Sequence, residues 1–305
     1  RLAGVTTVRH LGTEGARDAD EGLREAMESG IIPGPRYLIS SRAIVATGSY
    51  GPRRTQYAFE PPQGADEADG SAIQSVVRRQ IGQGADWIKL YADYRWGPNG
   101  EAMPTFAEEE LRLAVQTAKS SGRSVVIHSS NPDAMLRGVR AGVATIEHGD
   151  EGTPEVFAAM KRAGVAYCPT LAASEAIQGY RGWKKGVDPE PAVISAKHRS
   201  FTAALVAGVT MCAGSDAGVF AHGTNARELE LMVEYGMSPT DVLRSATSVN
   251  ARVLHMENQV GALAPGLRAD IIAVTGDPSQ NISALRSVRF VMKDGKQYEL
   301  LPTGR

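Results

Sequence analysis

Cysteine is nearly absent from this sequence: Cys168 and Cys212 are the only two among 305 residues, both in apolar runs. Two thiols in such settings read as small core residues, not as a disulfide framework. Aromatics are sparse at 6%, and no segment interleaves them with clustered basic residues, so no nucleic-acid partner is expected. Neither sign of charge dominates, with 33 Lys and Arg against 34 Asp and Glu. No apolar run approaches the roughly 18 residues that span a bilayer, so no membrane partner is expected either. An initiator Met and the charged and apolar regions of a leader are also missing, because the chain opens at Arg1 in what already reads as a strand. An upstream segment is therefore expected.

What is present is alternation. Strand-like apolar runs at Gly4–Arg9, Arg36–Val45, Asp86–Tyr91, Ser124–His128, Ala144–His148, Ala166–Thr170 and Thr210–Ser215 are each followed by a loop and a helical pattern. The helices are expected at about 19–29, 71–84, 105–120, 132–141, 154–163, 189–207 and 226–235. Such alternation is the signature of βαβ units and a parallel sheet. Seven units leave an eight-stranded α/β barrel one strand short, and an open barrel would expose two sheet edges. The expected fold is thus a (β/α)8 TIM-type barrel lacking its first strand in this chain, over residues 1–257. Residues 258–305 read as part of a small C-terminal β-domain, with a hairpin turn at Asp294–Gly295. Between them, SPTDVLRSATSVNARVLHM reads as two further helices, Ser238 capping the first and Pro239 opening it. The Gly- and Pro-rich stretch from Thr47 to Gly70 reads as a long loop over the site or a mobile one.

Four ionisable residues end apolar runs: Lys89 in ADWIKLYA, His128 in SVVIHSS, His148 in ATIEHGD and Asp216 in TMCAGSDAG. In a parallel barrel the C-terminal strand ends converge on one mouth, where a lysine, two histidines and an aspartate can hold divalent metal ions. Each residue also has a plainer reading: a snorkelling lysine, histidines satisfied in a core, an aspartate capping a turn. Carbamylation by carbon dioxide would remove the charge of Lys89 and make it a carboxylate able to bridge two metals. Glu147 is expected on the opposite side of its strand from His148, in a structural role. Asp216 is the candidate catalytic acid–base group, and Tyr91, Arg95 and His222 are candidate substrate-binding residues; a guanidinium suits a substrate carboxylate. His198 and His255 fall in helical patterns and read as surface or packing residues.

The ordered set IKLY, VIH, TIEHG, CPTL, GSDAG, HGTNARELELMVEYGMSP and GLRADIIAV resembles the amidohydrolase superfamily, within it the imidazolonepropionase-like and prolidase-like branch, whose prolidase-like members are Xaa-Pro or Xaa-Arg dipeptidases and carboxypeptidases. The similarity runs over nearly the whole chain. It implies one or two divalent metal ions, usually zinc, with Lys89 as the carbamylated bridge, His128 and His148 as ligands of the second metal, and Asp216 as ligand and proton shuttle. The family's first strand carries a His-x-His pair, and this chain contains none. His10, in RHLGT, cannot stand in for a pair, so those ligands are expected in a segment before Arg1.

The function this implies is hydrolysis of an amide or peptide C–N bond by metal-activated water, on a dipeptide or other small molecule, in a homo-oligomer. Two alternatives stand beside it: a cyclic-amide, deaminase or lactone hydrolase on the same scaffold, and a non-catalytic or incomplete barrel that binds a small molecule.

Overall fold

The structure is a computed structural model that describes residues 3–299. The outermost residues of the two segments drawn from sequence, 1–2 and 300–305, lie outside the described residues. The chain forms two compact units, one of Thr7–Val165 and one of residues 3–6 with 166–299. Among the described residues no helix is long and apolar enough to cross a membrane.

In chain order the first unit contains β1 (Thr7–Arg9), α1 (Ala19–Glu28), β2 (Arg36–Leu38), β3 (Ile44–Val45), β4 (Asp66–Glu67), α2 (Ala72–Gly82), β5 (Trp87–Tyr91), β6 (Asp93–Arg95), β7 (Ala102–Pro104), α3 (Glu108–Lys119), β8 (Ser124–Ser129), α4 (Pro132–Ala141), β9 (Thr145–His148) and α5 (Pro154–Ala163). Its main sheet is parallel, in the order β9-β8-β5-β3-β4. The β5–β8–β9 register aligns Ile88 with Val125, and Leu90 with Ile127 and Ile146, which makes one face wholly apolar. These residues are buried, as a parallel sheet roofed by helices requires. The roof sits close. A Cβ built at Gly138 of α4 would lie 2.3 Å from Ile127 Cδ1, so that position admits glycine alone without repacking.

Three expectations for this unit are corrected. The single strand at Arg36–Val45 is two, because Ser41 takes a left-handed φ of 59° and its amide donates to the buried Asp20 carboxylate at 2.8 Å. β2 therefore pairs with β1, while β3 joins the main sheet. The strand expected from Gly4 is regular only over Thr7–Arg9; Gly4 itself has φ of 86°. The Thr47–Gly70 loop contains β4 and a 3₁₀ turn at Arg54–Gln56, and is tied down by Arg54, whose guanidinium grips Glu67 at 2.6 and 2.9 Å and also pairs with Glu60.

The second unit holds β10 (Ala166–Cys168), α6 (Leu171–Tyr180), α7 (Ala192–Ala207), α8 (Ala226–Glu234), α9 (Pro239–Arg244), α10 (Asn250–Val253), and then β11 (Ile271–Val274), β12 (Val288–Lys293) and β13 (Lys296–Tyr298). The last three form the antiparallel sheet expected of the tail, with Asp294 and Gly295 both at positive φ in the β12–β13 turn. Ser238 caps α9, accepting the Asp241 amide at 3.1 Å, and a π-helical stretch over Ser245–Val249 carries α9 into α10. Cys168 and Cys212 are not disulfide-bonded and share a buried cluster with Ala166, as expected of core thiols.

Two corrections apply here. The run Thr210–Ser215 pairs as a strand only at its start, through a Tyr167–Met211 bridge. At Ala213 the Asn250 side chain replaces a strand neighbour, donating to the carbonyl at 2.7 Å and accepting from the amide at 3.1 Å. Helix α6 was not expected. Its N-terminal cap is the Glu228 carboxylate, which accepts the amides of Leu171 at 3.0 Å and Ala172 at 2.7 Å from 57 and 56 positions away.

Candidate active site

The second face of the main sheet carries the chemistry. Alternation along β5 puts Trp87, Lys89 and Tyr91 on one side, and the ladder aligns Lys89 with Val126 and Thr145, and Tyr91 with His128 and Glu147. The contacts agree. The Tyr91 ring stacks on His128 at 4.5 Å with 17° between planes, and Lys89 Nζ lies 5.6 Å from the Tyr91 centroid. Lys89 is 4% exposed, so its ammonium is held almost wholly out of water.

By the same alternation His148 should turn away from His128, since it is aligned with Ser129. Its φ of 74° breaks the pattern, and the two imidazoles meet at 4.5 Å, edge to face. A left-handed non-glycine residue costs on the order of 1–3 kcal/mol, which marks a constrained strand end. Thr170 and Asp216 share this conformation, at φ of 51° and 57°.

Glu147, expected to face away, is in register with His128 and lies on its side of the sheet. Its role is nonetheless structural: it pairs with Arg9 at 2.9 Å and accepts the Thr145 hydroxyl at 2.6 Å, while the Arg9 guanidinium lies 4.6 Å from the Trp87 ring. Both partners are buried, at 8% and 6% side-chain exposure. Glu147→Gln is expected to destabilise the fold by about 3 kcal/mol or more, because it leaves the Arg9 charge uncompensated. A melting temperature lowered by several degrees with unaltered metal stoichiometry would agree; a lost metal would give Glu147 a part in the site.

Sequence reading missed the residues that surround the imidazoles. Asp93, fully buried, has one carboxylate oxygen accepting from the Ser129 hydroxyl and from the amides of Ser130 and Asn131, each at 2.7 Å. Burial pushes its carboxyl up to about 6, against those three hydrogen bonds and helped by the charge of Asp150. Tyr50, from the long loop, meets Tyr91 at 5.2 Å and Tyr94 at 5.1 Å, forming an aromatic wall that reaches within 6.1 Å of His128 through Tyr94. No periodicity marks these residues, since they come from a hairpin and a loop.

The remaining expected residues are divided between the two units. The Tyr91 hydroxyl donates to Glu14 at 3.0 Å, and Arg95 is exposed at the end of β6. Asp216 and His222 belong to the second unit, both exposed; Asp216 follows Ser215, whose hydroxyl accepts from Asn225 at 2.8 Å, and His222 lies in the turn before α8. Near Asp216 in charge, the buried Glu228 is pushed up to about 7 by burial, opposed by its amide donors and Lys197 and raised further by Asp216. His10 lies 3.7 Å from Asp20 and stacks on Tyr37, and His198 stacks on Tyr235 at 4.2 Å, a packing contact as expected.

Two imidazoles in contact beside a buried lysine suit a divalent ion, provided the lysine becomes a carboxylate. Among the described residues no group of three or more His, Cys, Asp or Glu side chains is placed to hold an ion. With His128 and His148, a carbamylated Lys89 would make a third donor.

Over residues 2–298 the sequence matches the model of the amidohydrolase family. The chain belongs to that family. Its fold class is accordingly the TIM-barrel α/β type, with a small antiparallel C-terminal sheet. Among curated proteins it is 29% identical to ochratoxinase from Aspergillus niger, over 97% of this chain and 66% of that protein. The chain thus spans just under two thirds of that relative's length. Among solved structures it matches a Xaa-Pro dipeptidase with bound methionine, at TM-score 0.87 and 33% identity, over 97% of this chain and 76% of the other. A prolidase complexed with N-methylphosphonate-L-proline matches at TM-score 0.84 and 29% identity, over 98% and 76%.

Proposed function

We propose that this chain hydrolyses an amide or peptide C–N bond with the help of a divalent ion, zinc by preference, held by His128, His148 and a carbamylated Lys89. The observation that carries this reading is the His128–His148 pair at 4.5 Å on the same sheet face as the buried Lys89, in a chain of the amidohydrolase family. When bound, such an ion polarises the scissile carbonyl and brings the pKa of water towards about 7. The resemblance assigns Asp216 the acid–base work: its carboxylate takes the proton of the attacking water and returns it to the departing nitrogen.

For the substrate, a dipeptide or N-acyl amino acid is the reading best supported by the solved Xaa-Pro dipeptidase and prolidase relatives. Arg95 suits recognition of a free carboxylate, since its guanidinium presents paired donors. Tyr91 would contribute its ring, its hydroxyl being engaged by Glu14. His222 would contact the substrate from the turn before α8.

The test is a panel of Xaa-Pro and Xaa-Arg dipeptides set against imidazolones and lactones, assayed with zinc and after chelation. Dipeptide hydrolysis that disappears on chelation and returns with zinc is the expected result. Preference for imidazolones or lactones would move the substrate to the cyclic class. A protein that binds no metal and hydrolyses nothing in the panel would be a small-molecule-binding barrel instead.

A further inference from the structure

The Asp93 carboxylate does two things with its two oxygens. Oδ2 accepts from the Ser129 hydroxyl and from the amides of Ser130 and Asn131, which fastens the segment after β8 to the segment after β5. Oδ1 is buried and accepts no hydrogen bond among the described residues, yet it faces His128 Nε2 at 3.7 Å. A buried carboxylate oxygen with no donor is costly, and the group positioned to relieve that cost is an imidazole N–H. A proton on Nε2 leaves the lone pair of the imidazole on Nδ1, the nitrogen then able to bind a cation.

We propose that Asp93 is a positioning residue for His128: it holds the proton on Nε2 and so presents Nδ1 as the metal-binding atom. This rests on the metal-ligand reading of His128 given above. Outer partners of this kind fix the tautomer and the ring orientation of ligating histidines. The same carboxylate orders the loop at the end of β8, so it sets both where His128 stands and which nitrogen it offers.

Asp93→Asn isolates the effect. The amide oxygen can still accept from Ser129, Ser130 and Asn131, while the amide NH2 turned towards Nε2 needs an acceptor there. That exchange moves the imidazole proton to Nδ1 and makes the ligand atom a donor. The experiment uses the full chain labelled with ¹⁵N-histidine, metal-free at pH 8, with long-range ¹H–¹⁵N correlations to assign the His128 tautomer. Zinc affinity is measured alongside by competition with a chelator. Wild-type protein is expected to carry the proton on Nε2, and Asp93→Asn to shift it to Nδ1 and lose about 10- to 100-fold in zinc affinity. Ser129→Ala, which removes one loop bond and leaves Oδ1 in place, is expected to keep the wild-type tautomer and most of the affinity.

A wild-type His128 protonated on Nδ1 would overturn the proposal whatever becomes of the variants. So would an Asp93→Asn protein with unchanged tautomer and unchanged zinc affinity, an outcome that leaves the metal reading intact. A wild-type protein that shows the Nε2 proton but binds no zinc would remove the metal reading and leave only the tautomer assignment, so the two failures are told apart.

Discussion

Asp216→Asn is expected to lower kcat by a factor on the order of 10² to 10⁴ while leaving the protein folded and able to bind zinc. The expectation rests on what the substitution keeps. Asp216 sits at φ of 57°, and asparagine tolerates the left-handed region as well as aspartate does, so the backbone need not move. Ser215, the residue before it, stays tied to Asn225. What disappears is the proton acceptor. The charge lost at 216 also relieves the buried Glu228, whose carboxyl is held up in part by Asp216, so Glu228 should titrate lower in the variant. Steady-state kinetics on the best substrate, with zinc content measured on the same preparation, decides the matter. A near-normal kcat with zinc bound would remove Asp216 from the acid–base role.

The second large effect is expected at Lys89. Lys89→Ala should lose zinc affinity by at least 100-fold, with activity falling in step. Because the lysine is buried in the middle of β5, with its Nζ 5.6 Å from the Tyr91 ring centroid, truncation removes a long buried side chain from that face. Acetate or propionate should then restore part of both zinc binding and turnover by supplying the carboxylate a carbamate would provide. Loss without rescue at any acid concentration would argue against the carbamate and leave the lysine a different part.

These expectations draw on residues that the sequence exposed because they lie in or close apolar runs, though Lys89, expected at a run's end, stands in the middle of β5. Lys89, His128 and His148 were legible from period and position, and the two imidazoles do meet. The C-terminal hairpin was legible from Asp294–Gly295, where turn chemistry is local. What stayed hidden was set by side chains reaching backbone across long separations. Asp20 splits the run Arg36–Val45 by binding the Ser41 amide, Glu228 starts α6 from a later helix, and Asn250 ends the pairing of the strand before Asp216. None of these bonds leaves a trace in local periodicity. Asp93 escaped notice for a related reason: its partners lie 36 to 38 positions away, and only the folded register brings them together. The turn of His148 against alternation was equally invisible, since nothing in TIEHG announces a left-handed histidine.

The grip of Asn250 on Ala213 has a mechanical corollary. One amide group answers both polar atoms of a single peptide, so advancing the α10 segment by one position would orphan the two together. That all-or-none latch lies three residues ahead of Asp216, directly downstream of the π-helical stretch. Slippage in that stretch would free the Ala213 peptide, and with it one anchor of the short span of backbone that leads to Asp216.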